Sequence, residues 1–326
     1  MTEISRTAIS RAAIRRAAIS WIAVDWGTSQ VRAWAVAESG EVLQRASSAR
    51  GMSSLAPEQF EGALLELIGN WLEDGRVIEV IACGMVGARQ GWREAPYAEV
   101  PCAPQAVARM VRPEVQDGRL RVSIVPGLCQ RAPADVLRGE ETQIAGLLAE
   151  QADYSGVVCL PGTHSKWVEV RAGQVVAFQT FMTGELFALL SQQSVLRHGM
   201  QADQAQDHQS LDRQAFDAGL HAGAGPAQRL VGALFGLRAE GLLDGLAPGA
   251  ARARLSGLLI GQELVALDER WRGQRVCVIG DGEAAERYRH ALDTLGVTAL
   301  TVSAERVTLA GLAAAHAHIS GESRHD

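Results

Sequence analysis

The chain has 326 residues, 47% of them apolar and 21% charged, which at about 150 residues per domain is material for two cores. Lys and Arg number 31 against 37 Asp and Glu, a formal net charge of -6, so no overall attraction to nucleic acid or anionic lipid is expected. This composition excludes collagen-like and disordered classes, and no uncharged apolar stretch nears the roughly 18 residues that a membrane span requires.

The first twenty residues place Arg6, Arg11, Arg15 and Arg16 among isoleucines at 4, 9, 14 and 19. The arginines interrupt any secretory apolar region. Residues 1–19 are therefore read as a mobile arm or an over-extended start, and no function is assigned to them, although the pattern superficially resembles an organelle transit peptide. Ordered structure is predicted to begin with the apolar run Trp21, Ile22, Ala23, Val24, which ends at Asp25. Trp26, Gly27, Thr28 and Ser29 turn it into a second run at 31–36, Gly40 punctuates, and residues 41–43 complete an antiparallel meander. The spacing of Phe60, Leu64, Leu67, Ile68 and Trp71 predicts a helix within 58–74, with Gly75 at its C-terminal cap. Residues 77–83 read as a strand buried on both faces and closed by Gly84.

A second series follows. Residues 121–125 form a strand ending at Pro126 and Gly127, residues 140–150 a helix, and residues 157–160 a buried strand broken by Pro161 and Gly162. Residues 167–170 and 175–178 read as a hairpin around Gly173. A strand that ends in a Gly-Thr turn and enters a hairpin thus occurs twice, near 22–36 and near 157–178, which predicts two related half-molecules. Residues 184–270 are mostly helical, with a polar, exposed gap at 201–214. A strand at 276–279, a helix at 283–295, a short strand at 297–302 and a helix at 308–318 close the fold.

Four segments can carry chemistry. A carboxylate at a strand end, Asp25, can hold the water shell of Mg²⁺, and Gly27 with the Thr28 and Ser29 hydroxyls can cradle phosphate oxygens. The same four residue types also make ordinary turns. Gly162, Thr163, His164 and Lys166 repeat the arrangement after the second buried strand. Arg138, Glu140 and Glu141 open the helix at 140–150. Acids there are ordinarily dipole-favoured, but one facing a cleft can act as a general base, and the Arg138 fork suits a substrate carboxylate. Gly280, Asp281 and Gly282 form a strand-turn-helix segment able to lie against an adenosine. It loosely imitates a dinucleotide fingerprint, but Ala285 stands where the third glycine is expected, and too little chain follows for a complete dinucleotide domain. No GxxxxGK[ST] loop and no HRD or DFG triplet is present, so any ATP site must belong to another fold.

The order of these segments resembles the sugar kinase, actin and heat-shock chaperone superfamily. Within it, VDWGTSQVRAW, CGMVGARQGWREAPYAEVPC, VPGLCQR, RGEETQIAG, LPGTHSKWVEV, MTGELFALL and SGLLIGQE resemble the 2-dehydro-3-deoxygalactonokinase family over residues 20 to 318. The resemblance implies an α/β fold of two ribonuclease-H-like domains, each a mixed five-stranded sheet flanked by helices, with an ATP cleft between them. The implied division is 1–19 as the arm, 20–135 as the N-terminal domain with the sugar-acid site, and 136–326 as the C-terminal domain with the nucleotide site. A hinge is expected near 130–138.

The implied activity is ATP-dependent phosphorylation of the 6-hydroxyl of 2-dehydro-3-deoxy-D-galactonate, giving the 6-phosphate and ADP. Asp25 would hold Mg²⁺. Gly27, Thr28, Ser29, Gly162, Thr163 and Lys166 would hold the phosphates, and Gly280, Asp281 and Gly282 the adenosine. Glu140 or Glu141 would take the hydroxyl proton, Glu140 being preferred for its place directly after Gly139. Arg89, Trp92, Tyr97 and Arg138 would bind the sugar acid, with packing in a Pro-rich surface loop a nearly equal alternative for Trp92 and Tyr97. The expected partners are the sugar acid and ATP, without nucleic acid or membrane, and with a homodimer left open. Five dispersed cysteines without a CxxC pair fit a cytoplasmic chain. Two rivals remain: a kinase of the superfamily with another sugar, and a nucleotide-driven chaperone or filament protein, for which 326 residues leave little room.

Overall fold

The computed structural model describes residues 18–201, 212–226 and 230–322. The arm to residue 17 and most of the polar gap expected at 201–214 lie outside the described residues. The chain divides into two compact units. One comprises the chain to Tyr154 with Arg171–Ala177 and the segment from Ala304; the other comprises Ser155–Val170 and Phe178–Ser303.

In the first unit, β1 (Ile19–Trp26), β2 (Val31–Ala37) and β3 (Val42–Ser48) form the expected meander, followed by α1 (Phe60–Ile68) and β4 (Ile78–Gly84). Ile19 is a fully buried strand residue rather than the end of an arm. With β5 (Tyr97–Glu99) lying elsewhere, β6 (Leu120–Ile124) completes a sheet of order β3-β2-β1-β4-β6. The meander strands pair antiparallel, whereas β4 runs parallel to β1 and β6. Alternation along β1 supplies both faces. Ile22, Val24 and Trp26 join Phe60, Leu64 and Ile68 of α1, while Trp21 and Ala23 join Leu312 and Ala315 of the C-terminal helix Ala304–Glu322.

β7 (Gly127–Arg131) and β8 (Ala134–Leu137) pair antiparallel and join β5 in a small three-stranded sheet. The hinge expected near 130–138 is thus replaced by a paired hairpin. Its strands are too short to carry a readable alternation. The 136–326 boundary also changes, because α2 (Glu140–Glu150) and the C-terminal helix both belong to the first unit. These helices touch backbone to backbone: a Cβ on Gly146 would stand 1.8 Å from the Val307 carbonyl oxygen, and one on Gly311 2.0 Å from that of Thr142. Gly146→Ala should therefore force the helices apart at a cost of about 1–3 kcal/mol. Thermal unfolding would read this as a lowered Tm, and an unchanged Tm would refute the contact.

A second sheet repeats the plan with β9 (Gly156–Leu160), β10 (Ser165–Arg171) and β11 (Gln174–Phe181), of which Arg171–Ala177 counts with the first unit. Helices α3 (Thr183–Gln192), α4 (Arg213–Gly223), α5 (Leu230–Leu243) and α6 (Pro248–Ala266) follow, then β12 (Val276–Ile279), α7 (Glu283–Thr294) and β13 (Leu300–Val302). The sheet order is β11-β10-β9-β12-β13, with β10 antiparallel and β12 parallel to the central β9. The internal echo in the sequence is therefore a repeated sheet. Val157, Cys159 and Val278 pack against Phe216 and Leu220 of α4 and Ile260 and Leu264 of α6. Among the described residues, no helix is long and apolar enough to cross a membrane.

Candidate active site

The first turn leaves β1 at Asp25, whose side chain is 16% exposed and whose Oδ2 accepts a hydrogen bond from Arg32 Nη2 at 2.5 Å. Gly27 N–H donates to the Gln30 carbonyl at 2.8 Å, which closes the turn. Met52 and Ser53 N–H groups donate to the Gly27 and Thr28 carbonyls at 3.0 and 2.9 Å. The carbonyls are thus occupied, while Thr28 and Ser29 stay exposed.

The parallel register sets Asp25 beside Cys83 and Trp26 beside Gly84. Gly84 has φ 86°, and a Cβ there would stand 2.7 Å from the Trp26 carbonyl oxygen and 3.4 Å from Asp25 Oδ1. Only glycine suits so close an approach at positive φ. The start of α2 comes to the same place, since a Cβ on Gly139 would lie 3.4 Å from Gly84 Cα. Cys83 Sγ is 3.9 Å from Asp25 Oδ1, and burial, then the Asp25 and Glu141 charges, push its thiol well up.

The two acids of α2 differ sharply. Glu141 is fully buried, accepting from Gly139 N–H at 2.5 Å and from the Thr142 hydroxyl at 2.9 Å. Burial, and then the charge of Glu140, push its carboxyl up to about 8. Glu140 is only half-buried, with Oε2 accepting from Arg138 N–H at 2.9 Å. Glu141 has a stability consequence. Its native pKa of about 8 lies above the unfolded carboxylate value, so the native state holds an extra proton across the interval. Its contribution to stability is full below about pH 4.5 and is lost as pH rises towards 8, at up to about 1.4 kcal/mol per pH unit. Glu141→Gln should flatten thermal melts across this window, and an unchanged slope would exclude Glu141 as its source.

Arg138 reaches the loop that follows β4. Its Nη2 donates to the Ala95 carbonyl at 2.8 Å, its guanidinium stacks 4.4 Å from the Tyr97 ring centroid, and its Nη1 would lie 2.7 Å from a Cβ on Gly87. Its Nε and Nη1 are buried with no hydrogen-bond partner among the described residues. Tyr97 thus supports the arginine. Trp92, expected either to wall the sugar or to pack, packs against Trp26 and Phe60 at centroid distances of 6.5 and 6.4 Å and stays partly exposed. Arg89 is exposed.

In the second unit, Gly162, Thr163 and His164 are exposed. The turn is held by Glu185 N–H donating to the Thr163 carbonyl at 2.9 Å and by His164 Nε2 and Glu185 Oε2 at 2.7 Å. Lys166, expected at the phosphates, is 7% exposed and donates from Nζ to Thr180 Oγ1 at 2.8 Å. It is a paired strand residue, because β10 begins at Ser165 and takes the lysine into the sheet. Gly280 N–H donates to the Val302 carbonyl at 3.0 Å, and Asp281 Oδ2 accepts from the Ser303 hydroxyl at 3.3 Å. Gly282, with φ 76°, caps α7.

A cavity of about 70 Å³ lies between the second turn and α7, lined among others by Gly162, Gly184, Phe187, Ala284 and Arg287. Glu263, which no motif of the sequence singles out, is a buried carboxylate in α6 that accepts from Ser165, Trp167, Thr183 and Tyr288. A lone acid inside the apolar run SGLLIGQELVA was its available signal.

Comparisons with known proteins show the family. Residues 25–315 match the model of the family described as 2-keto-3-deoxy-galactonokinase. A Rhizobium meliloti (strain 1021) protein, named a probable 2-dehydro-3-deoxygalactonokinase, is 39% identical over 89% of this chain and 94% of its own. The 2-dehydro-3-deoxygalactonokinase of Escherichia coli K12 is 33% identical over 88% and 94%. A Sinorhizobium meliloti crystal structure carrying a provisional designation of the same kind superposes with a TM-score of 0.83 at 38% identity, covering 92% of this chain and 96% of that one. With the family pattern spanning both repeated sheets and both glycine turns, this chain belongs to the 2-keto-3-deoxy-galactonokinase family and is a kinase that transfers a phosphoryl group to an alcohol.

Proposed function

We propose that the chain phosphorylates the 6-hydroxyl of 2-dehydro-3-deoxy-D-galactonate with ATP. The observation that carries this reading is that Asp25, the start of α2 at Gly139 and Arg138 come together at Gly84 and Gly87 in one unit, the arginine having two buried nitrogens with no hydrogen-bond partner among the described residues. Phosphoryl transfer has a loose transition state, so it needs a positioned hydroxyl, a proton acceptor and charge neutralisation rather than covalent chemistry.

In this reading Arg138 offers its positive charge and its free N–H donors to the sugar-acid carboxylate. Tyr97 and the Ala95 carbonyl hold the guanidinium in place. Glu140 orients the 6-hydroxyl and accepts its proton, being the half-exposed member of the acidic pair. Glu141, sealed and bonded within its own turn, shapes the start of α2. The Thr28, Ser29, Gly162 and Thr163 turns bind phosphate oxygens through hydroxyl and N–H donors, and the Gly280 to Gly282 segment borders the adenosine.

Mg²⁺ is held in most phosphate sites by one or two carboxylates together with substrate oxygens and water. Asp25 fits that demand as a partly exposed carboxylate at a strand end. Among the described residues no cluster of three or more acidic, His or Cys ligands competes for it. When bound, the ion supplies neutralisation of the phosphate charge. The cysteines Cys83, Cys102, Cys129, Cys159 and Cys277 are all free, in keeping with a reducing cytoplasm.

Coupled ADP release with the galactonate and gluconate 2-keto-3-deoxy acids, beside neutral sugars, tests the substrate. Highest kcat/KM on the galactonate acid is expected, and preference for a neutral sugar refutes it. Arg138→Met should raise KM for the acid by about 10–100-fold, the value of losing charge-assisted hydrogen bonds, with KM for ATP little changed. Equal KM for the acid in variant and parent would remove Arg138 from substrate binding.

A further inference from the structure

We propose that Glu263 is a positioning residue: its buried carboxylate ties the strand that leaves the Gly162–Thr163 turn to the helix end beside it, and so holds the turn in the shape that receives a nucleotide's phosphates. The inference rests on the reading of that turn given under Proposed function, and it adds a residue that has no direct contact with the turn itself.

Glu263 is 2% exposed in α6, among Leu259, Ile260 and Leu264. Packing alone would be served there by an apolar side chain, because an ionised group is costly to bury unless its lone pairs are occupied. All four acceptor positions are used. Oε1 accepts from Ser165 Oγ at 2.8 Å and Trp167 Nε1 at 2.5 Å, and Oε2 accepts from Tyr288 OH at 2.7 Å and from Thr183 Oγ1. Burial raises the carboxyl while these four donors act against that rise.

The identity of the donors gives the carboxylate its direction. Ser165 follows the turn after His164, and Thr183 opens α3 immediately before Gly184. A Cβ on Gly184 would stand 2.3 Å from the Gly162 carbonyl oxygen and 3.0 Å from Thr163 Cα, so α3 abuts the turn through bare backbone. Glu185 N–H then donates to the Thr163 carbonyl. One carboxylate therefore ties the strand that leaves the turn to the helix end that supports it. Its other partner Tyr288 and Thr183 itself line the same cavity as Gly162.

The experiment compares Glu263→Gln, Thr183→Ala and Thr163→Val with the parent in the full chain. ADP affinity is read by calorimetry, KM separately for ATP and sugar acid, and folding by thermal melts. Glu263→Gln turns an amide N–H₂ towards two donors and should weaken ADP binding and raise KM for ATP by about tenfold, with KM for the sugar acid within about twofold. Thr183→Ala, which leaves three donors on the carboxylate, should shift the same constants by about two- to fivefold. It keeps the test open if Glu263→Gln does not fold. Thr163→Val probes the turn directly. If it weakens ADP binding while Glu263→Gln and Thr183→Ala leave it unchanged, the inference falls and the reading of the turn stands. If Thr163→Val leaves ADP affinity unchanged, the reading of the turn itself falls. Equal losses for both substrates in Glu263→Gln would mark a general structural defect and also overturn the inference.

Discussion

Asp25→Ala is expected to lower kcat by roughly 10³-fold, the scale found when a preorganised electrostatic contact to a reacting centre is deleted, while the chain still folds. Asp25 lies at the end of β1, and its backbone pairing with Arg32 and Cys83 does not depend on its carboxylate. The side-chain partner it abandons, Arg32, is 37% exposed and also stacks over Trp34, so water can take up the freed guanidinium. Removal of the carboxylate should therefore be felt in chemistry more than in folding. Turnover measured against Mg²⁺ concentration, with a melt as control, separates the two effects. A raised metal requirement with a near-parental Tm is expected. Turnover within a few-fold of the parent, at ordinary metal concentration, would take Asp25 out of the mechanism.

Glu140→Gln should lower kcat by about 10²–10⁴-fold, the usual range for a lost general base, with KM for either substrate little changed. Glutamine keeps the side-chain oxygen that accepts from Arg138 N–H, so the start of α2 is preserved and the missing function is proton acceptance. Glu141→Gln is expected to retain most of the turnover. Glu141 is fully buried, both its oxygens are engaged within its own turn, and with a pKa of about 8 it is largely protonated near neutral pH. The two variants are informative as a pair. A larger fall in Glu141→Gln would exchange the roles, and equal mild losses would reduce both acids to helix-end residues.

Much of the framework is legible in the residues because it follows from short-range pattern. β1, β4, β9 and β12 are apolar runs closed by a glycine, a proline or a carboxylate, and α2 runs over the predicted 140–150. The repeated strand-turn-hairpin plan is present in the order of those signals, and the two sheets reproduce it. Less legible is the small sheet of β5, β7 and β8. Its strands of three to five residues carry too few alternations to stand out from loop.

Individual side chains divide in the same way. The chain by itself determined that Asp25, Gly84 and Gly162 end buried strands, since strand ends and turns depend on neighbours a few residues away. Only the tertiary structure decided that Trp92 packs against Trp26 and Phe60, that Lys166 pairs with Thr180, and that Glu141 is sealed while Glu140 is not. It alone decided that α2 and the C-terminal helix share a unit, through contacts at Gly146 and Gly311, and that Glu263 gathers four donors. The contacts among these outcomes bring together residues from 14 positions apart, Lys166 and Thr180, to 169 apart, Thr142 and Gly311. Burial, partner choice and proton affinity are properties of such meetings, and local periodicity carries no record of them.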